Sequence, residues 1–256
     1  MRFLLLFVAA TLAGAINSVA GGGTLLTFPS LLAAGVSPIV ANATNTVALV
    51  PGSLSAYWGY RSEMGRSRRD LVLFGLPSLA GGVIGAFIVV KAGDQLFSRL
   101  VPWLIFSATG LFLLQDRLKT LFAPDTNEGA GTARFSRRHP VGATIFQFLV
   151  AIYGGFFGAG MGILMLAAMG MMGMGSIHRM NGLKNFAAVC INGVAAVTFA
   201  LMHRVNWPFA ALMAVGAVAG GYGGAGAAQR IGEKNVRRLV IYIGLGIGFW
   251  TLLRHA

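Results

Sequence analysis

Long apolar runs separated by short polar interruptions make up most of this chain, and their lengths suit a lipid bilayer. Runs of spanning length lie at about 42–60, 71–91, 97–115, 182–203, 208–228 and 236–253, and a transmembrane helix needs roughly 20 such residues. Two further apolar regions, about 3–36 and 141–176, are broken by glycine clusters. Each predicts a first helix, a break, and a second run of about 12–15 residues, too short to span alone. The pattern therefore predicts an all-α polytopic membrane protein with about eight spanning helices plus glycine-broken, re-entrant half-helices. The opening "MRFLLLFVAATLAGAINSVA" has the short basic start and small-residue end of a signal peptide. It reads instead as a retained membrane segment, because "AINSVAGGG" recurs in altered form later in the chain.

The two halves repeat. At a constant offset of 139, Gly21 meets Gly160, Gly23 meets Gly162, Leu25 meets Leu164, Ser37 meets Ser176 and Asn42 meets Asn181. The same offset pairs Gly81-Gly82 with Gly220-Gly221, Gly85 with Gly224, Gly93 with Gly232, and Arg99-Leu100 with Arg238-Leu239. A gapless register over this length marks a duplication. The copies are a first transmembrane repeat at 1–115 and a second at 141–256. The polar stretch 116–140, "DRLKTLFAPDTNEGAGTARFSRRHP", reads as a cytoplasmic linker between them.

Composition strengthens the membrane assignment. The chain is 56% hydrophobic and 11% charged, with a mean hydropathy of +0.73, which leaves too little polar surface for a soluble domain of this size. The net charge of +13 raises nucleic acid as a partner. The basic residues flank apolar segments, however, and no basic domain with interleaved aromatics occurs, so cytoplasmic loops account for them and nucleic acid does not. Charge also orients the copies. The loop at 61–70 carries Arg61, Arg66, Arg68 and Arg69, while its counterpart carries only Arg204. Conversely, the loop at 91–99 carries Lys91 and Arg99, while its counterpart carries Arg230, Lys234, Arg237 and Arg238. Inverted copies place 14 basic residues inside and five outside, with both termini on the outer side. Cys190 is the single cysteine, which excludes an internal disulfide and any multi-cysteine metal site.

Inversion brings corresponding elements face to face near the bilayer midplane. Here these are "AGGGTLLTF" with "GAGMGILML" and "NATNT" with "NGLKN". Glycine permits unusual dihedrals and close backbone approach. The runs after the breaks predict half-helices whose free N–H groups point inward, and Asn42 and Asn181 stand where N-caps of the following helices are expected. Up to four helix N-termini would then offer partial positive charge and unpaired donors to an anion. Lys184, opposite Asn45 of the first copy, adds a cation with no acidic residue in any predicted span to pair with it. The candidate substrate-binding residues are Gly21, Gly22, Gly23, Thr24, Asn42, Thr44, Asn45, Thr46, Gly160, Asn181, Lys184 and Asn185. A bland reading stands beside this one: such polar groups also join helices at about 0.6 kcal/mol each.

Other chemistry is poorly represented. Met161, Met165 and Met169 fall four residues apart without cysteine or histidine among them, so apolar gap-filling outweighs a copper route. No paired carboxylates, Ser-His-Asp arrangement, HExxH or P-loop appears. No catalytic residue, metal site or cofactor is expected, and the chain is not read as an enzyme. The expected partners are a small anionic substrate and the lipid bilayer. A homo-oligomer is compatible with the same features.

"AGGGTLLTFPSLLAAGVSPIVANATNTVAL", followed by "GMGSIHRMNGLKNF", resembles the TauE/SafE family of sulfite exporter-like permeases over essentially the whole chain. The resemblance implies about eight spans in a bacterial inner membrane and transport of a small sulfur-containing anion such as sulfite or a sulfonate. Its motif positions here are Gly21, Gly22, Gly23, Asn42, Thr44, Asn45, Thr46, Asn181, Lys184 and Asn185. Met161 replaces the central glycine in the second copy of the motif. Export of an anion from a negative-inside cell is downhill by about 2.3 kcal/mol per charge per 100 mV. The lack of acidic residues in the predicted spans fits a potential-driven uniporter. The alternatives are an anion channel, a non-transporting membrane subunit, and, more remotely, an integral-membrane enzyme of sulfur metabolism.

Overall fold

A computed structural model of the chain describes residues 2–19, 22–60, 68–121, 140–171, 174 and 177–231, together with 241–242, 244–246, 248–249 and 252. Its elements are α1 (Arg2–Val19), α2 (Thr24–Ala33), α3 (Pro38–Tyr60), α4 (Arg68–Leu121), α5 (Pro140–Phe156), α6 (Met161–Met171), α7 (Ile177–Leu201) and α8 (Trp207–Ile231). There is no strand among the described residues. Most of the linker, at 122–139, and most of the basic loops lie outside them.

The half-helices are where the apolar runs predicted them. At 1.5 Å per residue, α2 with 10 residues and α6 with 11 are each about 15 Å long, half the depth of a ~30 Å hydrocarbon core. The predicted spans at 71–91 and 97–115 form one long element, α4, bent where Gly93 adopts φ 77° and ψ 161°. The expected loop at 91–99 is therefore a single-residue bend, and α4 continues into the first residues of the expected linker. Among the described residues, two segments, Arg69–Leu114 and Arg179–Leu201, are long and apolar enough to cross a membrane.

The outer surface carries many large apolar side chains. Phe3, Leu76, Trp103, Val141, Leu201 and Tyr242 are each more than half exposed, and apolar surface on this scale calls for lipid rather than water around it. Among the described residues the interior forms two clusters. One gathers Phe28, Phe97, Phe112, Phe157 and Phe199. The other gathers Met161, Met165, Met169 and Met180 around Phe74, the gap-filling role expected of those thioethers.

Packing runs between the two halves of the chain. The α1 helix packs on α8 and α4 on α5, while α3 packs on α7 and α8 and α4 on α7. Small residues permit the closest approaches, as expected where lipid supplies no driving force between helices. A Cβ on Gly81 would meet Phe148 O at 2.7 Å, and one on Gly85 would meet Ile152 O at 2.1 Å. Across the molecule, a Cβ on Gly220 would meet Thr11 O at 1.9 Å.

Candidate functional site

The first break begins at the end of α1. Gly22 turns the chain at φ +102°, a conformation open to glycine, and a Cβ there would strike the Phe112 ring of α4 at 1.9 Å. Gly23 N donates to Asn17 Oδ1 (2.8 Å), which fixes the turn to α1. The α2 helix then starts at Thr24. Its first turn is tied to α3: Asn45 Nδ2 donates to Thr24 Oγ1 (3.4 Å). Thr27 Oγ1 bonds Gly23 O (3.0 Å) and also Asn45 Oδ1, one proton shared between two acceptors.

The second break follows the same plan with different side chains. Gly158 and Gly160 both take φ +78°. Phe157 N and Gly158 N donate to Tyr153 O, and Tyr153 Oη donates to Ala159 O at 2.6 Å, which folds the turn back onto α5. A Cβ on Gly160 would lie 3.4 Å from Leu111 Cδ1 and 3.8 Å from Ala108 O. Both breaks therefore rest on one stretch of α4, Ala108 to Phe112. They also touch through Phe28 and Phe157, whose rings meet edge to face at 5.3 Å.

Helices α3 and α7 line the breaks with their polar residues. Lys184 on α7 is half-buried, and its stem packs on the start of α6, 3.3 Å from where a Gly162 Cβ would be. This matches Asn45 of α3 against the start of α2. Asn42 is fully buried and reaches the other half, with Nδ2 donating to Phe156 O at the end of α5 (2.9 Å). Among the described residues no donor reaches Asn42 Oδ1. A buried acceptor left without a donor costs about 1–3 kcal/mol.

Two expectations need correcting. Asn42 and Asn181 are not N-caps: α3 begins at Pro38 and α7 at Ile177, so both asparagines lie inside their helices. Proline at the first helical position is preorganised for the start, and the Ile39 N–H is taken by Asp94 Oδ1 (3.1 Å) from the bend in α4. The positive end of α3 is thus already faced by a carboxylate. Of the expected helix starts, those of α2 and α6 are the ones that flank the Ala108–Phe112 stretch.

The remaining candidates divide. Thr46 Oγ1 donates to Asn42 O (2.9 Å) within its own helix. Thr44 Oγ1 accepts from Asn206 N (3.0 Å), which ties α3 to the start of α8. Asn185 is buried and Asn181 half-buried on α7, and Gly21 lies outside the described residues. Sequence reasoning missed Thr27, Tyr153 and the α4 stretch. The last left a signal in "SATGLF", where Ser107, Thr109 and Gly110 interrupt an apolar run.

Known proteins point to a membrane transporter. The chain is similar to a probable membrane transporter protein, ORF9, of Sinorhizobium sp., with 28% identity over 96% of this chain and 91% of the relative. A probable membrane transporter protein of Haemophilus influenzae is 27% identical over 93% and 89%. YunE of Bacillus subtilis, also a probable membrane transporter protein, is 26% identical over 97% and 96%. No solved structure matches significantly. Residues 6–251 match the family described as Sulfite exporter TauE/SafE, and the chain belongs to that family of membrane transporters.

Proposed function

We propose that this protein is a multi-pass permease of the bacterial inner membrane that moves a small sulfur-containing oxyanion, such as sulfite or a sulfonate. The anion would bind between the starts of α2 and α6. The observation that carries this reading is the convergence of the two glycine turns on Ala108–Phe112, each with the corresponding residue of α3 or α7, Asn45 or Lys184, against it. Helix starts carry partial positive charge even where their first N–H groups bond the turn, as Gly23 N does to Asn17 Oδ1, Leu25 N to Gly22 O and Met161 N to Gly158 O, and half-helix N-termini aimed at an anionic group are a recurrent solution in transporters. Lys184 contributes charge. Gly22, Gly23, Thr24, Gly160, Asn42, Asn45 and Asn185 form the wall, and Asn181 completes the set.

The architecture proposed for it is two inverted repeats, 1–115 and 141–256, with a cytoplasmic linker at 116–140 and both termini outside. The eight long spans would be α1, α3, the two arms of α4, α5, α7, α8 and the segment at 236–253, and α2 and α6, with the turns that flank them, would each complete a further crossing, because inversion and a cytoplasmic linker need an odd number of crossings in each half. The symmetry of the packing supports it. The α1 helix on α8 is matched by α5 on α4, and α3 on α8 by α7 on α4. Gly81 and Gly220, 139 residues apart, both stand where the backbones of the two outer pairs approach closely.

Counterflow of labelled sulfite into proteoliposomes tests the function. Saturable, competable flux is expected with sulfite, and it separates a permease from a channel or a non-transporting subunit. Absence of saturable flux with sulfite, thiosulfate and sulfonates alike overturns the proposal.

A further inference from the structure

One polar atom beside this site stands out by lacking a partner. Asn42 is fully buried, and its carbonyl oxygen has no donor among the described residues. The amide is not free to turn around, because its nitrogen is held by Phe156 O at the end of α5. That bond places the unpartnered oxygen beside the second glycine turn. The hydroxyls of Thr46 and Tyr153 donate elsewhere, to Asn42 O and Ala159 O. The positive ends of α2 and α6 and the Lys184 ammonium are thus joined by one acceptor awaiting a proton donor.

A fully deprotonated oxyanion has only lone pairs to offer and would set one against Asn42 Oδ1. An oxyanion that keeps one proton satisfies both features, its bare oxygens facing the helix starts and its proton directed to Asn42 Oδ1. Charge favours the same choice, because the cost of bringing an ion into a low-dielectric site rises steeply with its charge, and a monoanion is far cheaper to bury than a dianion. We infer that Asn42 selects the singly protonated form of the oxyanion, so that hydrogen sulfite rather than sulfite dianion is the transported species. This rests on the permease reading above.

The test uses the full-length chain in proteoliposomes, with labelled sulfite and labelled methanesulfonate as probes. Total sulfite is held constant while pH is stepped across the second ionisation of sulfurous acid. The initial rate at sub-saturating sulfite is expected to fall about tenfold for each pH unit above that ionisation, following the protonated fraction. Methanesulfonate, which has no acidic proton, is expected to compete at least about tenfold more weakly, and its own flux should stay flat over the same range. Asn42→Ala should bring the two anions to equal affinity by weakening sulfite alone. A sulfite rate that is flat or rises with pH, or equal competition by the two anions in the unmodified protein, overturns the inference while leaving the permease reading intact. Both of these are read without the variant, so a misfolded Asn42→Ala does not protect the claim. Lack of saturable flux with either anion overturns the permease reading and this inference with it.

Discussion

Replacing Gly85 by alanine adds one methyl group at the α4–α5 contact and tests whether the two halves are locked together there. The added Cβ would lie 2.1 Å from Ile152 O and 2.7 Å from Phe156 N. Ordinary contact begins at 3.4 Å, so the helices must separate locally by about 1.3 Å. Both opposing atoms are backbone, and no rotamer change relieves the clash. Overpacking of this kind costs about 1–3 kcal/mol, a five- to 150-fold shift of a folding equilibrium by ordinary free-energy arithmetic. Gly110, on the same helix, is the control, because its Cβ would meet nothing within 4 Å. Gly110→Ala should be neutral or stabilising by up to about 1 kcal/mol. Both variants can be unfolded in mixed micelles by titration with a denaturing detergent, with loss of helical circular dichroism as the readout. A Gly85→Ala midpoint no lower than that of Gly110→Ala would refute the claim that backbone approach between the halves holds the fold.

Gly22→Ala should destabilise by at least about 1 kcal/mol, because the new residue inherits φ +102° and strikes the Phe112 ring; thermal unfolding in detergent measures it, and a wild-type midpoint would contradict the geometry of the first break. Asp94→Ala removes the acceptor for Ile39 N–H at the start of α3 and should cost about 1–2 kcal/mol by the same assay, with a smaller loss expected for Asp94→Glu, which keeps the charge. Lys184→Ala should lower sulfite counterflow by about tenfold or more, the equivalent of about 1.4 kcal/mol of binding, while the unfolding midpoint changes little; unchanged kinetics would remove Lys184 from the site.

Periodicity and length made the helices legible, because hydrocarbon forces each span to satisfy its backbone internally. The short lengths of α2 and α6 were readable from the glycine clusters for the same reason. Exact helix starts were not. Asn42 has the composition of a cap, yet Ser37-Pro38 begins the helix one turn earlier and Asp94, 55 residues away, satisfies the Ile39 N–H. That partner is visible only in three dimensions. Thr44 and Thr46 likewise looked equivalent in "NATNT", but one serves α8 and the other its own helix. The common seat of both breaks on Ala108–Phe112 depends on tertiary packing and left only a weak polar interruption in the sequence.

The central claim is that an oxyanion binds between the starts of α2 and α6. The most direct measurement is an experimental structure of the protein in a lipid nanodisc with selenite, an electron-rich analogue of sulfite. The account predicts density between Gly22–Thr24 and Gly160–Gly162, within reach of Lys184 and absent without the anion. Density at another place, or none there at saturating selenite, would contradict it.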